Sequence, residues 1–171
     1  GNDLKAVSAD ASSVLWSFRV ENSVIETSPA IASDGTIYVL DDGGILYSLN
    51  KSGQVKWTYR GATGRGSVSS PAIGKNGVVY FATGSVLVGV NPDGTLKGYA
   101  YAGDSIYASP AIGSDGMVYI GAWDGKLYAF NQKVELQWSY QTGLGINSTA
   151  VIAGDGTIYV GGMDKVFYAI N

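Results

Sequence analysis

Few side chains in this 171-residue sequence could do chemistry, and the missing types narrow the options first. Histidine and cysteine are both absent. That removes the usual neutral-pH general base, the thiolate nucleophile, the commonest zinc ligands and any disulfide. Ser-His-Asp catalysis is excluded with them. What remains is carboxylate, guanidinium and indole: Asp41, Asp42, Asp104 and Asp124, with Arg65 and Trp123. Asp41, Asp42 and Asp124 are of the type that ligates calcium, yet no EF-hand or nonapeptide spacing accompanies them, and Asp-Gly is first of all a turn. As a glycosidase pair, Asp41 and Asp124 would need a defined separation that sequence does not supply. Gly61-Ala62-Thr63-Gly64-Arg65-Gly66 has the composition of a phosphate loop but lacks the Gly-Lys-Ser/Thr ending and a following helix, so it is expected to be an ordinary loop. Asn147-Ser148-Thr149 fits the glycosylation triplet, but at the start of a strand, where a glycan fits poorly. No catalytic residue, cofactor or metal is expected.

The elements that must position these residues are strands. The chain is 46% hydrophobic and only 15% charged, with 25 glycines and 12 tyrosines. Its most apolar stretch, 78–90, is short and interrupted by Thr83, Gly84, Ser85 and Gly89, so it is no membrane helix. The apolar excess must lie in strands covered on both faces. A net charge of −3 with scattered lysine and arginine argues against nucleic acid. The polar opening Gly1-Asn2-Asp3 is not itself a signal-peptide pattern and leaves room for an upstream targeting segment, and residues 1–13 are expected to extend ahead of the repeats.

Residues 14–171 repeat. Ser28-Pro29-Ala30-Ile31 recurs as Ser70-Pro71-Ala72-Ile73, Ser109-Pro110-Ala111-Ile112 and Ser148-Thr149-Ala150-Val151. Each copy is followed by a turn and an aromatic strand, as in Asp34-Gly35-Thr36-Ile37-Tyr38-Val39 and Asp115-Gly116-Met117-Val118-Tyr119-Ile120. A third strand ends in asparagine, as in Leu46-Tyr47-Ser48-Leu49-Asn50 and Leu127-Tyr128-Ala129-Phe130-Asn131. The fourth carries Trp16, Trp57 or Trp138, all expected to pack between sheets. Its third copy has Gly98 instead, a place Tyr99 is expected to refill. Asp-Gly and Asn-Gly turns make each unit an antiparallel meander, and meanders apolar on both faces stack radially. The expected fold is an all-β propeller of four-stranded antiparallel blades, four per chain.

The chain opens on a fourth strand and ends on a third, so the N-terminal strand is expected to complete the last sheet. One chain closing as a four-bladed ring satisfies this, as do two chains joined head to tail in an eight-bladed homodimer. The steep angles of a four-bladed ring favour the dimer.

The blade pattern, Ser-Pro-Ala, Asp-Gly-x-Ile-Tyr-Val, Leu-Tyr-Ala-x-Asn and Gly-x-x-x-Trp-x-Tyr, resembles the pyrroloquinoline-quinone (PQQ)-like propeller repeat over residues 14–171. The resemblance implies the fold. Its family includes quinoprotein dehydrogenases that hold PQQ and calcium, and non-enzymatic members such as the propeller subunit of the outer-membrane barrel-assembly machinery. The dehydrogenases typically carry adjacent cysteines and are several times longer, so the resemblance carries over no catalytic residue and implies a non-enzyme, often extracytoplasmic (periplasmic or secreted).

The turns that would gather at one end of such a ring hold Asp41, Asp42, Arg65, Asp104, Trp123 and Asp124. Trp123 stands apart as a loop tryptophan outside the repeat, expected either to cap its own blade or to belong to a binding surface. The expected function is a non-catalytic scaffold for a protein or peptide partner, without membrane insertion. The alternatives are small-molecule or carbohydrate binding at the loop end and a fragment of a PQQ-dependent dehydrogenase.

Overall fold

The computed structural model describes residues 1–61 and 69–171; Arg65 and most of the glycine-rich loop 61–66 lie outside the described residues. The described elements are all strands and turns. β1 (Asp3–Val7) and β2 (Val14–Arg19) form a hairpin. A first four-stranded sheet follows in β3 (Ala30–Ile31), β4 (Ile37–Leu40), β5 (Ile45–Leu49) and β6 (Val55–Arg60). The second sheet is β7 (Ala72–Ile73), β8 (Val79–Thr83), β9 (Val86–Val90) and β10 (Leu96–Tyr101). The third is β11 (Ala111–Ile112), β12 (Val118–Gly121), β13 (Lys126–Phe130) and β14 (Leu136–Gln141). The fourth has three strands, β15 (Val151–Ile152), β16 (Ile158–Gly161) and β17 (Phe167–Ile170). Every pairing is antiparallel between strands consecutive in the chain, as short turns dictate.

The short first strands β3, β7, β11 and β15 lie side by side in that order. Backbone-to-hydroxyl bonds link them: Ser28 N donates to Ser70 Oγ (2.9 Å), Ser70 N to Ser109 Oγ (3.0 Å) and Ser109 N to Thr149 Oγ1 (3.2 Å). This ladder corrects the alignment of the last repeat by one residue. Val151, not Ala150, faces Tyr159 as Ala111 faces Tyr119 and Ala30 faces Tyr38. Thr149 therefore takes the place of Ser109, because the position demands a hydroxyl acceptor.

Cores lie between neighbouring sheets. Val79, Phe81 and Val88 of the second sheet pack with Tyr38, Leu40 and Leu46 of the first. Tyr80, Ala82 and Leu87, on its other face, pack with Ile120, Tyr128 and Phe130 of the third. Residues alternate in direction along a strand, so a sheet sandwiched on both sides is apolar at successive positions. The same contact continues from Leu127 and Ala129 to Ile158 and Val160.

Within one chain the N-terminal strand does not complete the last sheet. β2 pairs with β1, and no strand flanks β17 on its outer side among the described residues. Phe167 is 72% exposed, whereas Leu46 and Leu127 at its position are fully buried because a following sheet packs on that face. β1, within the stretch 1–13, holds the register of a third strand: Leu4 faces Phe18 and Ala6 faces Trp16, as Leu46 faces Tyr59 and Ser48 faces Trp57. A hairpin partner a few residues upstream closes a much shorter loop than a partner near the other end of the sequence, at lower entropic cost.

Between sheets, the Trp16 indole donates to Lys51 O (2.8 Å) and that of Trp57 to Pro92 O (2.9 Å). Tyr99 does not refill the missing third copy, being 54% exposed. Val134, from the neighbouring sheet, lies there instead and is buried.

Candidate functional site at the sheet tips

The turns joining the second and third strands of each sheet meet the connections between sheets at one end. One backbone bond recurs there: Asp42 N to Val24 O, Trp123 N to Ser105 O and Met163 N to Gly145 O, each 2.9 Å. Asp42, Trp123 and Met163 thus occupy a single structural position in the first, third and fourth sheets. The second sheet turns more tightly there, through Gly84 at φ 58°. The position changes chemistry from tip to tip, from carboxylate to indole to thioether.

The aspartates are engaged by their own turns. Asp41 is 1% exposed; its Oδ1 accepts from Ile45 N (2.7 Å) and its Oδ2 from the Tyr47 hydroxyl (3.1 Å). Asp124 accepts from Lys126 N (3.0 Å) and from the Tyr128 hydroxyl, which itself accepts from Gly103 N (2.9 Å) in the connection from the second sheet. Asp164, in the fourth sheet, accepts from Val166 N, Gly143 N and the Tyr168 hydroxyl, at 3.1, 2.8 and 2.5 Å. The Tyr168 bond, above all, holds the Asp164 carboxyl below the usual carboxylate range. Asp42 accepts from Ser23 Oγ (2.6 Å) and Val24 N (3.0 Å), and Asp104 from Ser105 N (2.6 Å). These carboxylates brace their turns, and Asp42, Asp124 with Tyr128, and Asp164 tie the first, third and fourth sheets to the preceding connection.

The structure does not bring Asp41 and Asp124 together as a reactive pair; they sit in different sheets, each with its own tyrosine. A cavity of about 360 Å³ beside the first tip is lined by Glu21, Asn22, Ser23, Asp41 and Arg60. Among the described residues, no group of three or more histidine, cysteine, aspartate or glutamate side chains could hold a metal.

Trp123 behaves differently. Its indole donates to Asn147 Oδ1 (2.5 Å), and its ring lies against Tyr107, centroids 5.5 Å apart and planes tilted by 47°. Both partners belong to the connections on either side, so the ring does not cap its own sheet, and the residue is 47% exposed. Gly145 brings the next tip close: a Cβ there would lie 3.2 Å from Trp123 Cα and 3.3 Å from Met163 Sδ. Tyr107, Leu144 and Met163 are exposed as well. Together with Trp123 they put apolar surface across the third and fourth tips. Tyr107, Leu144 and Met163 were not singled out from sequence, although they share Trp123's signal of a large apolar residue in a turn or connection.

No helix among the described residues is long and apolar enough to cross a membrane. No curated protein matches the chain by sequence. The structure is similar to that of BamB from Moraxella catarrhalis, with a TM-score of 0.74 and 20% identity over 88% of this chain. It is also similar to a protein of unknown function from Bacteroides caccae, with a TM-score of 0.68 and 14% identity over the whole chain. The chain spans 50% of the former's length and 65% of the latter's. These likenesses are of fold alone. The family model described as "Outer membrane protein assembly factor BamB" matches residues 1–100, more than half of the sequence, and the chain belongs to that family.

Proposed function

We propose that this chain is a non-catalytic propeller scaffold that holds a protein or peptide partner against the apolar tips of its third and fourth blades, in an extracytoplasmic compartment. The observation that carries the reading is Trp123, an indole half open to solvent and braced by Tyr107 and Asn147. Tryptophan and tyrosine are the side chains most often found at the energetic centre of interfaces. A braced ring loses little conformational freedom on binding. Family membership agrees, since the family's description names an assembly factor. Carbohydrate or small-molecule binding through Asp41 and Asp124 has less support, because both carboxylates already accept bonds from their own turns.

The test is selection of peptides on the immobilised protein, followed by affinity measurement with Trp123→Ala. The variant is expected to lose at least about tenfold in affinity while its melting midpoint moves by no more than about 2 °C. A large fall in melting would make the ring structural. Unchanged affinity would move the site elsewhere.

The same reading has two copies joining head to tail, β2 of each exchanging β1 for the partner's β17, to make one eight-bladed ring. Four repeat units that span half of a related propeller chain support that count.

A further inference from the structure

The joints between blades share one construction, and the joint between the second and third departs from it at three positions together. In the standard joint, an indole on one blade lies over a glycine in the last turn of the next. Trp16 covers Gly53 and Trp57 covers Gly94, where a Cβ would come within 2.5 and 2.9 Å of the ring. Both glycines have positive φ, 76° and 89°. In the second blade the indole position is Gly98, and the glycine position of the third blade is Val134. The Val134 side chain crosses back toward the second blade: its Cβ lies 3.5 Å from where a Gly98 Cβ would stand. Gly89, where the first and third blades have Ser48 and Ala129, completes the change; a Cβ there would lie 3.0 Å from Val134 Cγ2 and 3.2 Å from Tyr80 Cε1. Tyr80 takes over the polar part of the indole's role, its hydroxyl donating to Gln132 O (3.0 Å) as Trp57 donates to Pro92 O.

Knob and socket have exchanged blades. Val134 holds φ at 66°, a conformation costly for a β-branched side chain. Nothing in the turn itself asks for valine, since Gly53 and Gly94 make the same turn without strain. The reciprocal side is equally closed, because a Cβ at Gly98 would meet Lys133 O at 2.5 Å.

We propose that Gly98 and Val134 are specificity-determining residues of the blade 2–blade 3 interface, an inverted joint that accepts only its own partner and so fixes blade order in a chain of similar repeats. A standard indole-bearing blade would collide with Val134 and the Lys133 carbonyl. A standard glycine turn would leave the second blade facing an empty socket. Repeats that all fit one another can pair out of order or with another copy's blades; one inverted joint excludes those pairings there. The inference is independent of the partner-binding reading.

A double-mutant cycle read by thermal unfolding of the full chain tests it. Gly98→Trp alone and Val134→Gly alone are each expected to lower the melting midpoint by roughly 5–10 °C. The double variant, which restores the standard joint, is expected to recover to within about 3 °C of the parent. Transplanting all three departures to the joint between the first and second blades, as Ser48→Gly, Trp57→Gly and Gly94→Val, is expected to melt above the Trp57→Gly or Gly94→Val change alone. If Gly98→Trp alone does not fold, folding of the Gly98→Trp, Val134→Gly chain supports the proposal and failure of that chain overturns it. Additive shifts at the native joint overturn it as well.

Discussion

Tyr47 and Tyr128 show how much of the tip chemistry is structural. Both hydroxyls are pushed up to about 12, chiefly by burial and then by the Asp41 and Asp124 carboxylates to which they donate. An unfolded phenol ionises near pH 10. A folded phenol raised above that value stabilises the fold fully below about pH 10, and the contribution is lost as pH rises towards about 12. The melting midpoint is therefore expected to hold to about pH 10 and decline through the two units above it. Tyrosinate absorbance of the native protein should lag behind that of the unfolded chain over the same window. Coincident native and unfolded titration curves would contradict the Asp–Tyr braces. From sequence, Asp41 and Asp124 had the type of ligands or catalysts, because residue type does not reveal which acceptor sites are already filled. Trp123 drew notice for the opposite reason: it breaks the repeat.

Whole strands were more legible than their ends. The Asp-Gly turns, the Ile-Tyr-Val and Leu-Tyr-Ala runs and the tryptophan strands all form as their patterns require. β1 escaped notice because Leu4-Lys5-Ala6-Val7-Ser8 has lost the tyrosine and asparagine that mark a third strand. The first strand of the last blade was misplaced by one residue because Ser148 mimics a serine whose role falls to Thr149. The turn glycines offer a controlled comparison. Gly94 at φ 89° lies under the Trp57 ring, whereas Gly156 at φ 91° has nothing within 4 Å of its absent Cβ. Gly156→Ala should cost only the backbone term, about 1–2 kcal/mol. Gly94→Ala should add overpacking against the indole, for about 2–4 kcal/mol in all. Denaturant unfolding of the two variants measures the difference; equal losses would mean that the ring yields freely.

Across the molecule, burial is greatest in the middle and weakest at the two ends. β8 and β9 are buried at every residue, while β17 leaves Phe167 and Ala169 open. Burying such surface is favourable at roughly 25 cal/mol per Å², which is the physical motive for the two-copy ring. Native mass measurement over a dilution series is expected to show a two-chain species that gives way to one chain at the lowest concentrations. A one-chain mass at every concentration excludes that assembly. The apolar pattern announced stacked sheets, but which strand completes which sheet depends on competing loop lengths that the pattern does not encode. The hydroxyl ladder at the hub adds a polarity of its own. At its start the Ser28 hydroxyl receives no amide among the described residues, and at its finish the Thr149 amide finds no acceptor there. Hub seams continued by this bond must join the finish of one arc to the start of the next, never like to like. Such a heterologous contact has two outcomes, a sealed circle when the rotation sums to a full turn and an open-ended filament when it does not.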